Sequence, residues 1–298
     1  AVRRCIRASC AVSTSRPSDR AEGARLWAAG LAALRAIAYL QAMTRIQSLD
    51  GVHNFRHFHG YEAADGARVR EGLYRSGHFS RSSEADRELI RSLGITVIAD
   101  LRRPRERQAE PSAWPEGHAL RVISSDADDD GEPPHLKFLR TGDHSLEAVR
   151  GYMQSAYRRI PTEKGNQSVF REGFKALASG EADGGFLVHC AAGKDRTGIF
   201  CALVLDELGV SQDEIIEDYL LTNTAVDFDS LVPMVRQRLQ ESYGHVMPDA
   251  VMRAFLGVEA DLLHTALATI GDRDRYLRDV LGITDQERAA LRERWLER

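Results

Sequence analysis

The 298-residue sequence predicts an α/β fold with a central, mainly parallel sheet and extra helices at the C-terminal end. Three observations carry that prediction. The apolar run Gly185-Gly-Phe-Leu-Val-His breaks into a short polar loop and resumes as Thr197-Gly-Ile-Phe-Cys-Ala-Leu-Val-Leu, the pattern of a buried strand, a loop and a buried helix. Upstream, helical and strand patterns alternate over 84–93, 95–99 and 119–124. From Ser211 onward the apolar spacing is helical to the end. Alternation of this kind belongs to a parallel sheet flanked by helices.

Composition narrows the function classes. A hydrophobic content of 43% is ordinary for a globular domain. A net charge of −4 argues against a nucleic-acid partner. The best apolar run, Leu31 to Leu40, is too short to span a bilayer and is broken by Arg35, so no integral membrane segment is expected. Cys5, Cys10, Cys190 and Cys201 do not form a disulfide framework. A reduced compartment suits them, which makes cytoplasm the default location, with secretion left open.

Taken in order, residues 1–42 form a basic N-terminal extension with seven arginines against Asp19 and Glu22. A transit peptide or a reading frame extended upstream would both give such a tail. The second is preferred, so the tail is expected to be disordered or not native, and the folded domain to span 43–298. The alanine-rich stretch 21–42 could still form a helix. Residues 50–77 read as a β-hairpin turning at Asp65-Gly66. His53, His57 and His59 lie in it without a companion acidic or cysteine cluster, so solvated or turn histidines are expected and no metal. Ser82 or Ser83 caps a helix over 84–93, which Gly94 ends. The strand Ile95–Ala99 then delivers Asp100 to its C-terminal end. Trp114-Pro-Glu is a loop before the strand 119–124. Residues 124–142, with Asp126, Asp128, Asp129, Asp130 and two prolines, read as a long surface loop. Helices follow over 145–159 and 167–177, stopped by Ala178-Ser-Gly. Beyond the central helix, Ser211 with Glu214 forms a capping box. Helices over 227–243, 248–256, 259–270, 273–281 and 285–297 either roof a pocket or pack on the sheet.

The chemistry concentrates at His189-Cys-Ala-Ala-Gly-Lys-Asp-Arg-Thr-Gly198. A loop between a strand C-terminus and a helix N-terminus is where open α/β sheets bind ligands. Its N–H groups and the helix dipole suit a tetrahedral oxyanion. Five residues separate Cys190 from Arg196, so the thiol can lie at the bottom of the loop while the arginine fork closes the rim. The same surroundings favour the nucleophilic thiolate. Thr197 can donate to the sulfur, and Gly193 and Gly198 permit close backbone approach. Two carboxylates compete for the role of general acid. Asp100 stands at a strand end on the same edge; Asp195 lies inside the loop. Otherwise Asp100 caps its own turn while Arg102 pairs with Glu106, and Asp195 holds the loop or orients Arg196. Lys194 offers a second cation at the rim. His189 suits a structural role, and Cys201 a place in the core.

His-Cys-x5-Arg-Thr-Gly resembles the signature of the cysteine-dependent protein tyrosine phosphatases. The fuller Gly-Lys-Asp-Arg-Thr-Gly is similar to the bacterial branch that includes broad-specificity and lipid-active members. Asn54-Phe-Arg, the strand-to-Asp100-Leu-Arg junction, Tyr219-Leu-Leu-Thr-Asn and the opening at Met43 resemble the same family, with a departure at His57, Phe58 and His59. The resemblance spans about 47–298. It implies a tyrosine-phosphatase-like three-layer fold and hydrolysis of phosphomonoesters through a phosphocysteine, with no cofactor. Cys190, Arg196, Asp195, Asp100 and Thr197 would be catalytic, and Ala191, Ala192, Gly193, Lys194 and Gly198 would bind substrate. The expected substrate is a phosphotyrosine protein, with a phosphoinositide as the alternative because Lys194 and Asp195 match positions of phosphoinositide phosphatases. A non-catalytic phosphate-binding module is the contrasting reading, against which intact Cys190, Arg196 and Thr197 count.

Overall fold

A computed structural model describes residues 44–127, 134–141, 143–244 and 247–298. The basic tail over 1–42, its alanine-rich pattern, Cys5, Cys10 and Asp128–Asp130 lie outside the described residues. The body runs from Arg45 to Arg298.

Among the described residues the central sheet has five strands in the order β1 (Arg56–His57), β3 (Leu73–Ser76), β6 (Phe186–His189), β4 (Val97–Asp100) and β5 (Arg121–Ile123). The last four are mutually parallel, and β1 runs antiparallel to β3. Side chains alternate across the sheet. Phe186 and Val188 join Leu73, Val97 and Ala99 in one core, while Leu187 joins Tyr74 and Ile98 in the other. A sheet buried on both faces needs near-continuous apolar strands, which is why β4 and β6 stand out in the sequence.

Helix α1 (Glu84–Ser92) covers one face through Ile90. Its capping box pairs Ser83 with Asp86. The other face carries α5 (Lys164–Ser179) and α6 (Asp195–Glu207), giving three layers. Helix α6 is buried almost all round; Phe200 packs on Phe170, Phe174 and Phe186. The parallel register sets both Ser76 and Asp100 opposite His189. The loop leaving β6 is therefore flanked by the ends of β3 and β4.

The other elements are α2 (Pro104–Ala109), α4 (Leu146–Arg159), α7 (Gln212–Leu220), α8 (Thr222–Ala225), α9 (Phe228–Tyr243), α10 (Asp249–Leu256), α11 (Ala260–Ile270), α12 (Arg273–Arg275) and α13 (Asp285–Trp295). The hairpin expected around Asp65-Gly66 forms, with Glu62 bridging Arg68. Three expectations need correction. Residues Pro134–Thr141 are a helix, α3, not loop; Pro134 suits a first helical turn, and Leu139 is buried in the core. Helix α6 starts at Asp195 instead of after Arg196, which puts a carboxylate where the helix dipole favours it. At the C-terminus the helix stops at Trp295, whose indole N–H donates to Leu177 O at 2.9 Å. The next two residues, β7 (Leu296–Glu297), pair with β2 (Arg68–Val69). No described helix is long and apolar enough to cross a membrane.

Candidate active site

The loop after β6 is pinned from behind by its carbonyls. Ala191 O accepts from His78 N at 3.2 Å. Ala192 O and Gly193 O both accept from the Asn54 amide, at 3.1 and 2.9 Å, and Gly193 O also accepts from Arg75 Nη2 at 3.2 Å. In a planar trans peptide the next N–H points opposite to the carbonyl. The N–H groups of Ala192, Gly193 and Lys194 are thus turned to the other side of the loop. Gly193 has φ +69°, and a Cβ there would lie 2.2 Å from Ser76 O. A Cβ on Gly198 would lie 2.8 Å from the Tyr219 ring, so this glycine lets α6 approach α7.

Below the loop sits a fully buried polar cluster. Arg75 Nη1 lies 2.5 Å from Asp218 Oδ2. Arg56 donates to Asn54 Oδ1, and through Nη2 to Asp218 O and Thr222 Oγ1, both at 3.1 Å. Burial, aided by neighbouring Arg75, lowers Arg56 to about 9. Asn54 could be found in the Asn-Phe-Arg motif. Arg75 and Asp218, separated by the whole middle of the chain, left no local signal.

In front of the loop is a cavity of about 190 Å³. Cys190, Ala191, Ala192, Lys194, Asp195 and Arg196 line it, and Tyr152, Met153, Ile160, Phe255 and Leu256 supply apolar walls. Arg196 is held by Glu106 through two contacts, Nη1 to Oε2 at 2.6 Å and Nη2 to Oε1 at 2.9 Å. Its Nη1 also donates to Leu101 O at 2.9 Å. Burial would push Glu106 up, yet the Arg196 charge outweighs it and holds Glu106 at about 2. Burial alone would lower Arg196, and Glu106 reverses that. Sequence reading gave Glu106 to Arg102 and missed this role.

The two acid candidates separate. Asp100 is buried and does not line the cavity. Arg102 takes both its oxygens, through Nε at 3.0 Å to Oδ1 and Nη2 at 2.7 Å to Oδ2. Arg102 thus pairs with Asp100, not with Glu106. His189 Nε2 lies 3.6 Å from the same carboxylate; burial lowers His189 to about 4, so the ring is neutral. Asp195 lines the cavity in the first turn of α6. It accepts from Tyr157 Oη at 2.7 Å, and Tyr157 Oη meets Tyr219 Oη at 2.5 Å. Burial, then the Asp195 charge, keeps both phenols protonated.

Lys194 is not a free rim cation. Its Nζ donates to Phe255 O at 2.7 Å and Gly257 O at 3.2 Å, and lies 3.4 Å from Asp195. A cation at these carbonyls caps the C-terminus of α10. The contact holds α10 over the loop, where Phe255 and Leu256 wall the cavity. For α10, this decides between roofing the pocket and packing on the sheet.

Over residues 47–297 the sequence matches the profile of the tyrosine phosphatase family. The chain belongs to that family. It is 35% identical to the triple specificity protein phosphatase PtpB of Mycobacterium tuberculosis over 271 residues, covering 78% of this chain and 93% of that protein. A Cupriavidus necator protein carrying a tyrosine-protein phosphatase name is 31% identical over 243 residues, 79% of this chain and 84% of the relative. A tyrosine-protein phosphatase of Nostoc commune is 27% identical over 154 residues, about half of each chain.

Other expected residues of the phosphatase fall as follows. Thr197 is buried, and its hydroxyl has no hydrogen-bond partner among the described residues, so the expected bond to the Cys190 sulfur is not formed. Gly193 and Gly198 shape the backbone without lining the cavity. Cys201 is in the core, where burial pushes its thiol up to about 12. His57 and His59 stack at 3.8 Å, and burial lowers His59 to about 3. Phe138 stacks on the lining residue Tyr152 at 4.4 Å and lies 6.5 Å from Phe255, which ties α3, α4 and α10 together.

Proposed function

We propose that this tyrosine phosphatase works through a phosphocysteine at Cys190, and that residues 43–298 form its catalytic unit. The observation that carries the mechanism is the pairing of a cysteine that lines the cavity with an arginine locked by Glu106. Cys190 thiolate attacks phosphorus, forming the S–P bond as the ester P–O bond breaks. Arg196 and the N–H groups of Ala191, Ala192, Gly193 and Lys194 stabilise the equatorial oxygens, usually the largest catalytic contribution. Asp195 is the acid that protonates the leaving oxygen, because Glu106 is committed to Arg196 and Glu163, at the cavity edge, to Arg103. Water then attacks phosphorus, Asp195 takes its proton, and the S–P bond breaks. Thr197 can turn its hydroxyl to the departing sulfur. Asp100 serves as a structural ion-pair partner in this scheme.

The substrate is a phosphotyrosine protein, with a range that extends to other phosphomonoesters as the name of the Mycobacterium tuberculosis relative suggests for that protein. A cavity of ~150 Å³ holds benzene, so about 190 Å³ walled by Tyr152 and Phe255 admits a phenyl phosphate. A phosphoinositide headgroup is disfavoured, since Lys194 is engaged with α10. The acidic net charge supports no nucleic-acid partner, and cytoplasm remains the proposed location. The test is phosphate release from phosphotyrosine and phosphoserine peptides and phosphatidylinositol monophosphates, with chelator present. Cys190→Ser should abolish turnover while vanadate still binds. Turnover near wild type in that variant would remove the mechanism.

A further inference from the structure

A second cavity, of about 240 Å³, lies beside the first. The two share Ala191, Ala192, Lys194 and Leu256 as a common wall. At the second cavity, three basic side chains, two from the loop after β3 and one from α9, meet one carboxylate. Arg81 Nη2 and Arg238 Nη1 approach the same oxygen, Glu110 Oε1, at 3.9 and 4.0 Å, and His78 Nε2 lies 3.4 Å from Oε2. Both arginine distances exceed hydrogen-bond length. Neither guanidinium donates a hydrogen bond among the described residues, and their side chains are 58% and 70% exposed. Two guanidiniums against one carboxylate leave positive charge unbalanced. Below them Val226, Leu231, Met234 and Leu256 give an apolar lining, with Met234 at 44% exposure.

We propose that this cavity is a subsite for an acidic side chain next to the phosphotyrosine of a peptide substrate. The inference rests on the phosphotyrosine reading of the first cavity. Because the two cavities share four lining residues, one extended chain at ~3.3 Å per residue can reach from one to the other. A glutamate matches the site in two ways: its methylenes meet the apolar lining and its carboxylate meets the free N–H donors of Arg81 and Arg238. An inositol headgroup, polar on every side, gains nothing from Met234 and Leu231. The peptide is therefore the occupant the lining favours.

The experiment compares kcat/KM for phosphotyrosine peptides with glutamates or alanines flanking the phosphotyrosine. The acidic-to-neutral ratio should be about tenfold in the wild type, the effect of two exposed charge pairs. It should collapse to about one in Arg81→Ala/Arg238→Ala, invert in Arg81→Glu/Arg238→Glu, and shrink at high salt. A ratio near one in the wild type, or a ratio that survives the double alanine variant, overturns the subsite. A loss confined to phosphatidylinositol phosphates in vesicles overturns the peptide assignment. The same peptides are also titrated onto Cys190→Ser. Absence of wild-type turnover would remove the phosphatase mechanism, while the affinity ratio on Cys190→Ser would still decide the subsite.

Discussion

Asp195 and Asp100 show how neighbours give two identical side chains different surroundings. Asp195 borders the cavity; Asp100 is buried under a bidentate arginine. Asp195→Asn should lower kcat by about 10²- to 10⁴-fold on alkyl phosphates and far less on aryl phosphates with good leaving groups. Asp100→Asn should instead cost about 3–5 kcal/mol of stability, because Arg102 is left buried without its charge partner. Denaturant titration and a leaving-group series on both variants separate the two roles. Glu106→Gln keeps the size of the side chain but removes the charge that seats Arg196. A fork displaced by about 1 Å should cost about 10²-fold in kcat/KM. An unchanged value would show that Leu101 O alone positions Arg196.

At the level of elements, the loop after β6 is a backbone device. Its shape is set by the Asn54 and Arg75 side chains behind it and by the left-handed Gly193. Gly193→Ala would push a methyl into Ser76 O and strain φ, so we expect about 1–3 kcal/mol of destabilisation and a loss of phosphate binding together. Thermal melting and vanadate titration read both. The loop was legible because all its chemistry is contiguous, from His189 to Gly198. The helix Pro134–Thr141 was not legible. Acidic and proline residues dominate the stretch before it, and the order comes from Leu139 entering the core and Phe138 stacking on Tyr152. The roof was legible as helices, but not as a roof. Nothing local to Lys194 says that it will cap a helix ending 62 residues later at Leu256.

On the scale of the molecule, burial at the centre of the sheet has a price in pH. His189 titrates at about 4 when folded, because burial disfavours its charged form, and at an ordinary 6.5 when unfolded. Above 6.5 its contribution is intact. Between 6.5 and 4 the unfolded chain takes up a proton that the folded protein refuses, so stability falls, by up to about 3 kcal/mol. Urea titrations at pH 7 and pH 5 should show this slope in the wild type and a flatter one in His189→Asn. Glu106, held at about 2, adds a separate loss only below its ordinary 4.5.

The parts of this protein whose information is local can be read from the residues alone. The near-continuous apolar strands, the capped helices, the cysteine, the arginine and the loop between them follow from residues within a few positions of one another. Tertiary structure decided which carboxylate faces the cavity, which cation Glu106 holds, what Lys194 binds, and that Arg75 and Asp218 brace the loop. Those contacts join residues dozens to more than a hundred positions apart. They depend on the strand order and on where each helix lies against the sheet, which no local pattern encodes.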